Sequence, residues 1–397
     1  MFGPFVLMDK STLQGLGFEC LNYLNRYYQH RVSPILIREI TSDLADEKTR
    51  NKDESDWKRI IKELAAKTLS SHSFVLPDAF TMVWNELLYG QSIPMNGYQA
   101  PLEEWIELNE PGMGRGIFID EHPMMAILRN WTEGNFSEQY LDKAKAIRNE
   151  DSSVNLVFLY QEIEQTTEEE AKIPKFQSLK EVVDYADEIQ LFNATPRREI
   201  LRVAKFFFQN HTGHIGAVMR RWRRAGRPAL RDFAPYAMYF YRVEIVHHYC
   251  LLSSFVSRSK KGKAHLDMQY LYYLPFCHIF SSDDGDLRRL VPFFLRQDQV
   301  FVSKADLQED LKRLSKHFAG LSEEEGKAFY EEYGQYPPNL EKSFTANMWK
   351  KFMSLKSPRQ GMAGFPSPEN KADIMKKFRT ALKALEEEWK NKFKKDQ

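Results

Sequence analysis

Phe5-Val6-Leu7-Met8 is an unbroken apolar run that stops at an acid, Asp9. A run this short, with no polar position inside it, fits a strand buried on both faces, the usual state of strands in a parallel sheet. The pattern returns only after a long interval. Phe276–Phe280 is a second such run, followed by Ser281-Ser282-Asp283-Asp284-Gly285-Asp286, and Gln299–Ser303 is a third. Helical spacing over Leu287–Leu295 lies between them, and Ser303 with Asp306 predicts a capped helix start. Buried strands alternating with helices predict an α/β fold: a parallel sheet flanked by helices.

The interval itself reads differently. Ser11 predicts a cap for a helix carrying Leu13, Leu16 and Phe18, and Ser33-Pro34 opens a clearer one, with serine as cap and proline at the first position. From Asp46 to Ser254 the apolar spacing is helical, as in Trp57, Ile60, Ile61 and Leu64, or Tyr239, Val243, Val246 and Tyr249. This predicts a large all-α insertion. Beyond Ser322 the chain reads as a charged helical tail broken at Pro337-Pro338 and over Ser357–Pro368. The expected division is residues 1–45 and 255–320 as two parts of one α/β domain, 46–254 as the insertion, and 321–397 as a helical C-terminal extension.

Composition narrows the class. Three widely separated cysteines, Cys20, Cys250 and Cys277, exclude a disulfide framework and a cysteine-based zinc site, and fit a reducing cytoplasm. No window approaches ~18 uninterrupted apolar residues, so no membrane-spanning helix is expected. The start of the chain lacks a basic leader and a long apolar core, the marks of a signal peptide. A cytoplasmic protein with no membrane contact is expected.

Candidate chemistry sits where the strands end. In parallel sheets function gathers beyond the carboxyl ends of strands, so Asp9 and Asp283 should share one rim. Glu39 lies in the helix begun by Ser33, and Asp267 opens the helix before the second acidic strand. Four carboxylates drawn together cannot all stay ionised without compensation, and Mg2+ or Mn2+, hard cations preferring oxygen, would supply it. Each acid also has a plainer role: Asp9 as a cap, Glu39 on a solvated face beside Arg38, Asp267 as a charge at a helix start.

The segment Val6-Leu7-Met8-Asp9-Lys10-Ser11-Thr12-Leu13 resembles the opening of a PIN-domain nuclease: an apolar strand, Asp, any residue, Ser or Asn, any residue, Leu. Val32-Ser33-Pro34-Ile35-Leu36-Ile37-Arg38-Glu39-Ile40 resembles that family's second motif, a helix bearing one glutamate. Asp267, then Leu274-Pro275 and Ile279-Phe280-Ser281-Ser282-Asp283, resembles the third and fourth. The resemblance covers about residues 1–45 and 260–310, and 228 positions separate Glu39 from Asp267, far more than a compact member has. It implies a metal-dependent phosphodiesterase, usually acting on RNA, with Asp9, Glu39, Asp267 and Asp283 at a Mg2+ or Mn2+ site. Asp283, Asp284 and Asp286 compete for the last position; Asp283 is favoured by Ser281 two residues earlier, and Asp286 ranks second. The way such nucleases are often deployed suggests a toxin or phage-defence role.

Charge locates the partner. Pro196–Ala264 holds fifteen basic residues against Glu199, Asp232 and Glu244, a net +12, and with the whole chain at +1 the remainder carries −11. Such asymmetry points to a polyanion, RNA or single-stranded DNA. Its centre is Arg220, Arg221, Trp222, Arg223, Arg224 and Arg227, where guanidinium groups suit phosphates and Trp222 suits a stacked base. Two other classes stay open: a catalytically silent nucleic-acid-binding module, and an interaction protein whose basic helix docks an acidic inhibitor or complex partner. His211 with His214 and His247 with His248 have no acidic motif at zinc spacing beside them and read as core or surface histidines. Neither a P-loop nor a nucleophile elbow occurs.

Overall fold

The computed structural model of the chain describes residues 3–41, 54–69, 73–96, 106–110, 114–118, 123–137, 142, 174–188, 195–209, 211–255, 266–333 and 336–353. Seven strands lie among them: β1 Phe5–Met8, β2 Gln29–Val32, β3 Ser73–Val75, β4 Ile106–Glu110, β5 Gly114–Phe118, β6 Ile279–Ser282 and β7 Val300–Ser303. β4 and β5 form an antiparallel hairpin of their own. The other five make one sheet in the order β3-β2-β1-β6-β7, every neighbouring pair parallel.

Parallel strands need crossover helices. The first half of the chain supplies α1 Lys10–Gly15, α2 Phe18–Tyr27, α3 over 34–41, α4 Glu54–Thr68, α5 Ala79–Trp84 and α6 Pro123–Thr132. Then come α7 Leu179–Tyr185, α8 Pro196–Phe208, α9 Thr212–Arg224, α10 Leu230–Phe233 and α11 Pro235–Leu252. A 3-10 segment, Gln269–Phe276, leads into β6. The chain continues through α12 Gly285–Leu290, α13 Lys304–Ala319, α14 Glu323–Tyr333 and α15 Phe344–Phe352.

Both faces of the central strands are covered. Val6, Leu7, Met8, Ile279 and Phe280 are all buried, which is why β1 reads as a continuous apolar run without alternation; β6 runs on from Ile279-Phe280 through the buried Ser281 and Ser282. Each such apolar side chain contributes roughly 1.5–3 kcal/mol of burial. Gly3 just before β1 has no room for a side chain: a Cβ there would lie 1.9 Å from the Tyr27 carbonyl oxygen.

The strand and helix expectations at 5–8, 276–280, 299–303 and after Ser33 are met to within a few residues. Ser33 Oγ accepts the amide of Leu36, and Ser303 Oγ accepts that of Asp306. The cap of α1, however, is Asp9 and not Ser11: the Asp9 carboxylate accepts the Thr12 amide at 2.8 Å.

Two divisions of the chain need correction. The span 46–254 is not all-α, because β3 within it pairs with β2 to complete the sheet, and the β4–β5 hairpin lies there as well. Ser73-Phe74-Val75 is too short to reveal a strand against the surrounding helical spacing. The C-terminal part is no free extension at its beginning either. Tyr28 donates from its hydroxyl to Thr345 Oγ1 at 2.9 Å, Trp349 Nε1 donates to the Tyr27 carbonyl, and the Phe352 ring stacks on His278 at 4.5 Å. Helix α15 therefore packs against the residues that lead into β2 and β6. The part of the tail over 354–397 lies outside the described residues. Among the described residues no helix is long and apolar enough to cross a membrane.

Candidate functional site

The sheet order reverses at β1. β2 and β3 lie on one side of it, β6 and β7 on the other, so β1 and β6 flank a topological switch point. Loops diverging from neighbouring strand ends leave a crevice there, the usual ligand position in open parallel sheets. Met8 stands opposite Ser281, which puts Asp9 and Asp283, the residues that follow β1 and β6, on the same rim.

Asp9 is fixed from three directions. Its Oδ1 accepts the Thr12 amide, and its Oδ2 accepts the hydroxyls of Ser11 and Ser282, both at 2.7 Å. Ser11 Oγ also accepts the Asp283 amide at 3.3 Å, tying the two strand ends together. Glu39, on α3 beyond β2, is 5% exposed. Its Oε2 accepts the hydroxyl of Tyr270 at 2.5 Å, and Lys10 Nζ stands 3.7 Å from Oε1.

Tyr270 holds Glu39, and no sequence motif singles it out. It is fully buried on the 3-10 segment that follows Asp267. Burial pushes its phenol well above the ordinary range, and the nearby charges of Glu39, Asp9 and Asp267 push it the same way. Three of the four expected acids thus lie within electrostatic reach of one hydroxyl. A signal does exist, because tyrosines in a buried run need a partner for each hydroxyl. Tyr270, Tyr272 and Tyr273 find theirs on Glu39, Glu244 and the Ala79 amide.

Asp283 is turned elsewhere. Its carboxylate meets Lys304 Nζ at 2.5 Å, half-exposed, at the start of α13. Asp284 caps α12, accepting the amides of Asp286 and Leu287. Asp286, expected as a further metal ligand, is engaged by Arg289 one turn along the same helix. An acid in the first turn of a helix attracts a basic side chain three residues on, and that spacing is the local signal for this pair. The donors at the rim are carboxylate oxygens, the kind a hard divalent cation takes. They are not gathered into a cage: among the described residues no three His, Cys, Asp or Glu side chains stand close enough to hold a metal ion.

The arginine helix is α9, and it divides the expected contacts. Arg220, Arg223, Arg224 and Arg227 are exposed. Arg221 is structural: it donates to the carbonyls of Glu86 and Leu87 at 2.8 and 2.9 Å, and its guanidinium lies 3.8 Å over the Phe233 ring. Trp222 is 5% exposed, with Nε1 donating to the Pro228 carbonyl. It cannot stack a base, which corrects the expectation drawn from its arginine neighbours. On a helix adjacent residues point about 100° apart, so a tryptophan amid exposed arginines is free to face inward. Arg258, Lys260, Lys261 and Lys263 lie outside the described residues.

Comparison with protein-family models finds no match, and comparisons with curated proteins and with solved structures find none.

Proposed function

We propose that the chain is a metal-dependent nuclease that hydrolyses phosphodiester bonds. One observation supports it above the rest: Asp9 and Asp283, far apart in sequence, leave neighbouring strand ends at the switch point and are tied together through the Ser11 and Ser282 hydroxyls. Asp9, Glu39, Asp267 and Asp283 would hold Mg2+ or Mn2+ only on drawing closer than they stand here, with Asp283 exchanging Lys304 for the ion. A divalent ion at such a site supplies a bound water of lowered pKa and charge stabilisation at the leaving oxygen. The Ser11 and Ser282 hydroxyls hold Asp9 in place, Tyr270 holds Glu39, and the exposed arginines of α9 grip the strand's phosphates. RNA is preferred over DNA as substrate on the resemblance to PIN-domain nucleases alone.

The test is cleavage of labelled single-stranded RNA and DNA by the full chain with Mg2+ or Mn2+, with chelator, and with Asp9→Asn. Asparagine keeps the oxygen that caps α1 and loses the charge; its amide nitrogen faces the Ser11 and Ser282 hydroxyls, which can turn to accept where they donated, so the fold should survive. Cleavage confined to the metal-containing wild type is expected. Full activity in chelator, or in Asp9→Asn, would sink the reading.

A second reading is favoured by the lysines. Lys10 and Lys304 already meet the charges of Glu39 and Asp283, as in a scaffold that binds nucleic acid without cutting it. Strand binding with no metal-dependent cleavage would select this one.

A further inference from the structure

Among the described residues, the large apolar side chains left in water are Phe18, Phe80, Trp84 and Tyr89. Three of the four sit on one short element, α5 and the π-turn Asn85–Tyr89 that continues it. Trp84 is 38% exposed and Tyr89 is 78% exposed. A run of exposed rings marks an interaction surface more often than chance placement does.

That element packs against the arginine helix. Arg221 bonds the carbonyls of Glu86 and Leu87 within the turn, and the Trp84 ring lies 5.7 Å from the ring of His214 near the start of α9. Gly90 ends the turn at φ +73, a left-handed conformation that suits glycine, and a Cβ there would come within 2.6 Å of the Arg221 guanidinium and push it aside. π-turns insert one residue and re-aim the side chains that follow, and they recur at functional sites. Here the turn delivers Tyr89 outward beside a helix with three exposed arginines, Arg220, Arg223 and Arg224.

We infer that Trp84 and Tyr89 are a stacking surface for the bases of a single-stranded nucleic acid whose phosphates lie on the arginines of α9. Guanidinium groups account for a polyanion, but exposed indole and phenol rings need flat apolar faces in the ligand. A duplex hides those faces within its stack, whereas a single strand offers them. Rings and arginines also serve protein interfaces, and it is the density of positive charge over Pro196–Ala264, net +12, that favours a strand of phosphates here. This stacking surface rests on the nucleic-acid part of the function proposed above and does not need the metal chemistry.

The experiment compares a labelled single-stranded oligonucleotide with an abasic strand of the same length, titrated against the full chain. Calcium replaces magnesium to suppress turnover. Trp84→Ala and Tyr89→Ala should each weaken binding of the base-bearing strand roughly tenfold, leaving the abasic strand and the salt dependence unchanged. Trp84→Phe and Tyr89→Phe should restore most of it, and thermal melting of each variant checks the fold. Equal losses on both strands, or none on either, overturn the inference. Ring-dependent binding without metal-dependent cleavage keeps it and removes the nuclease. Cleavage with no ring dependence does the reverse. A wild type that captures an acidic protein but no single strand overturns both.

Discussion

The hydroxyl of Tyr270 donates to Oε2 of Glu39, joining the 3-10 segment that follows Asp267 to the helix beyond β2, and both residues are buried. A buried carboxylate that loses a donor bears its own desolvation, a penalty of about 1–3 kcal/mol or more for a charged group. Tyr270→Phe should therefore lower stability by that order and reduce cleavage further, because Glu39 is no longer held. Combining Tyr270→Phe with Glu39→Gln should recover stability but not activity. Denaturant titration and initial rates on the same preparations separate the two effects.

Lys304 and Asp283 give the second prediction. Their pair is half-exposed, and such pairs contribute about 0–1 kcal/mol. If the lysine competes with a divalent ion for Asp283, Lys304→Met should tighten Mn2+ binding by no more than about fivefold, the factor that energy allows. Asp283→Asn should weaken it. Calorimetric titration with Mn2+ reads both, and unchanged affinity in both variants would remove Asp283 from the site.

Acid should unfold the protein early. Burial lowers His30, His248 and His278 from the ordinary 6.5 to about 4. Above pH 6.5 all three are neutral in both states and contribute nothing to the pH dependence. As pH falls the unfolded chain binds protons that the folded one refuses, so each withdraws up to roughly 3 kcal/mol by about pH 4. Glu86 opposes them. Burial raises it to about 7, so its protonated form favours the folded state as pH falls towards 4.5, offsetting about one histidine. A net fall in stability below pH 6.5 is expected, read from denaturant midpoints across that range. His30→Phe should flatten the fall.

The C-terminal boundary carries a fourth prediction. Asp310 on α13 is 1% exposed and accepts the amides of Phe344 and Thr345 together with the Thr345 hydroxyl. Its removal strands these donors and the start of α15. Asp310→Ala should cost about 2–4 kcal/mol. Ending the chain at Gly320, the boundary that helical spacing suggests, should abolish folding outright.

What is legible in the sequence follows from how local each signal is. β1 is readable because burial on both faces leaves an apolar run with an acid at its end, and Ile279-Phe280 marks the first half of β6; the shared rim of Asp9 and Asp283 then follows from the parallel pairing of the two strands. β3 is not, since three residues carry no period, and its place depends on pairing with β2 across the chain. The hydrogen bond between Tyr270 and Glu39 spans 231 positions, and no spacing rule reaches so far. Composition locates the arginines of α9, but only packing decides that Arg221 and Trp222 turn inward while Trp84 and Tyr89, unremarkable in sequence, stay exposed.

The two kinds of arginine on α9 should part in solution. Arg220 and Arg224 are exposed, so replacing both with alanine should leave melting almost unchanged and weaken every single strand alike, whatever its sequence. Removing one phosphate-binding arginine lowers the slope of log affinity against log salt by about 0.7, so the double variant should lower it by about 1.4. Arg221 holds the π-turn by two carbonyl hydrogen bonds and covers Phe233. Arg221→Ala should therefore destabilise the fold by about 1–3 kcal/mol, because the Leu87 carbonyl loses this donor, the Glu86 carbonyl keeps only the Gly90 amide and Phe233 loses its cover, and shift the salt slope little. Salt titrations of strand binding, paired with denaturant melts of the same variants, distinguish these outcomes. A double variant with the wild-type slope would take the arginine helix out of the substrate path and leave the nuclease reading to Asp9, Glu39, Asp267 and Asp283.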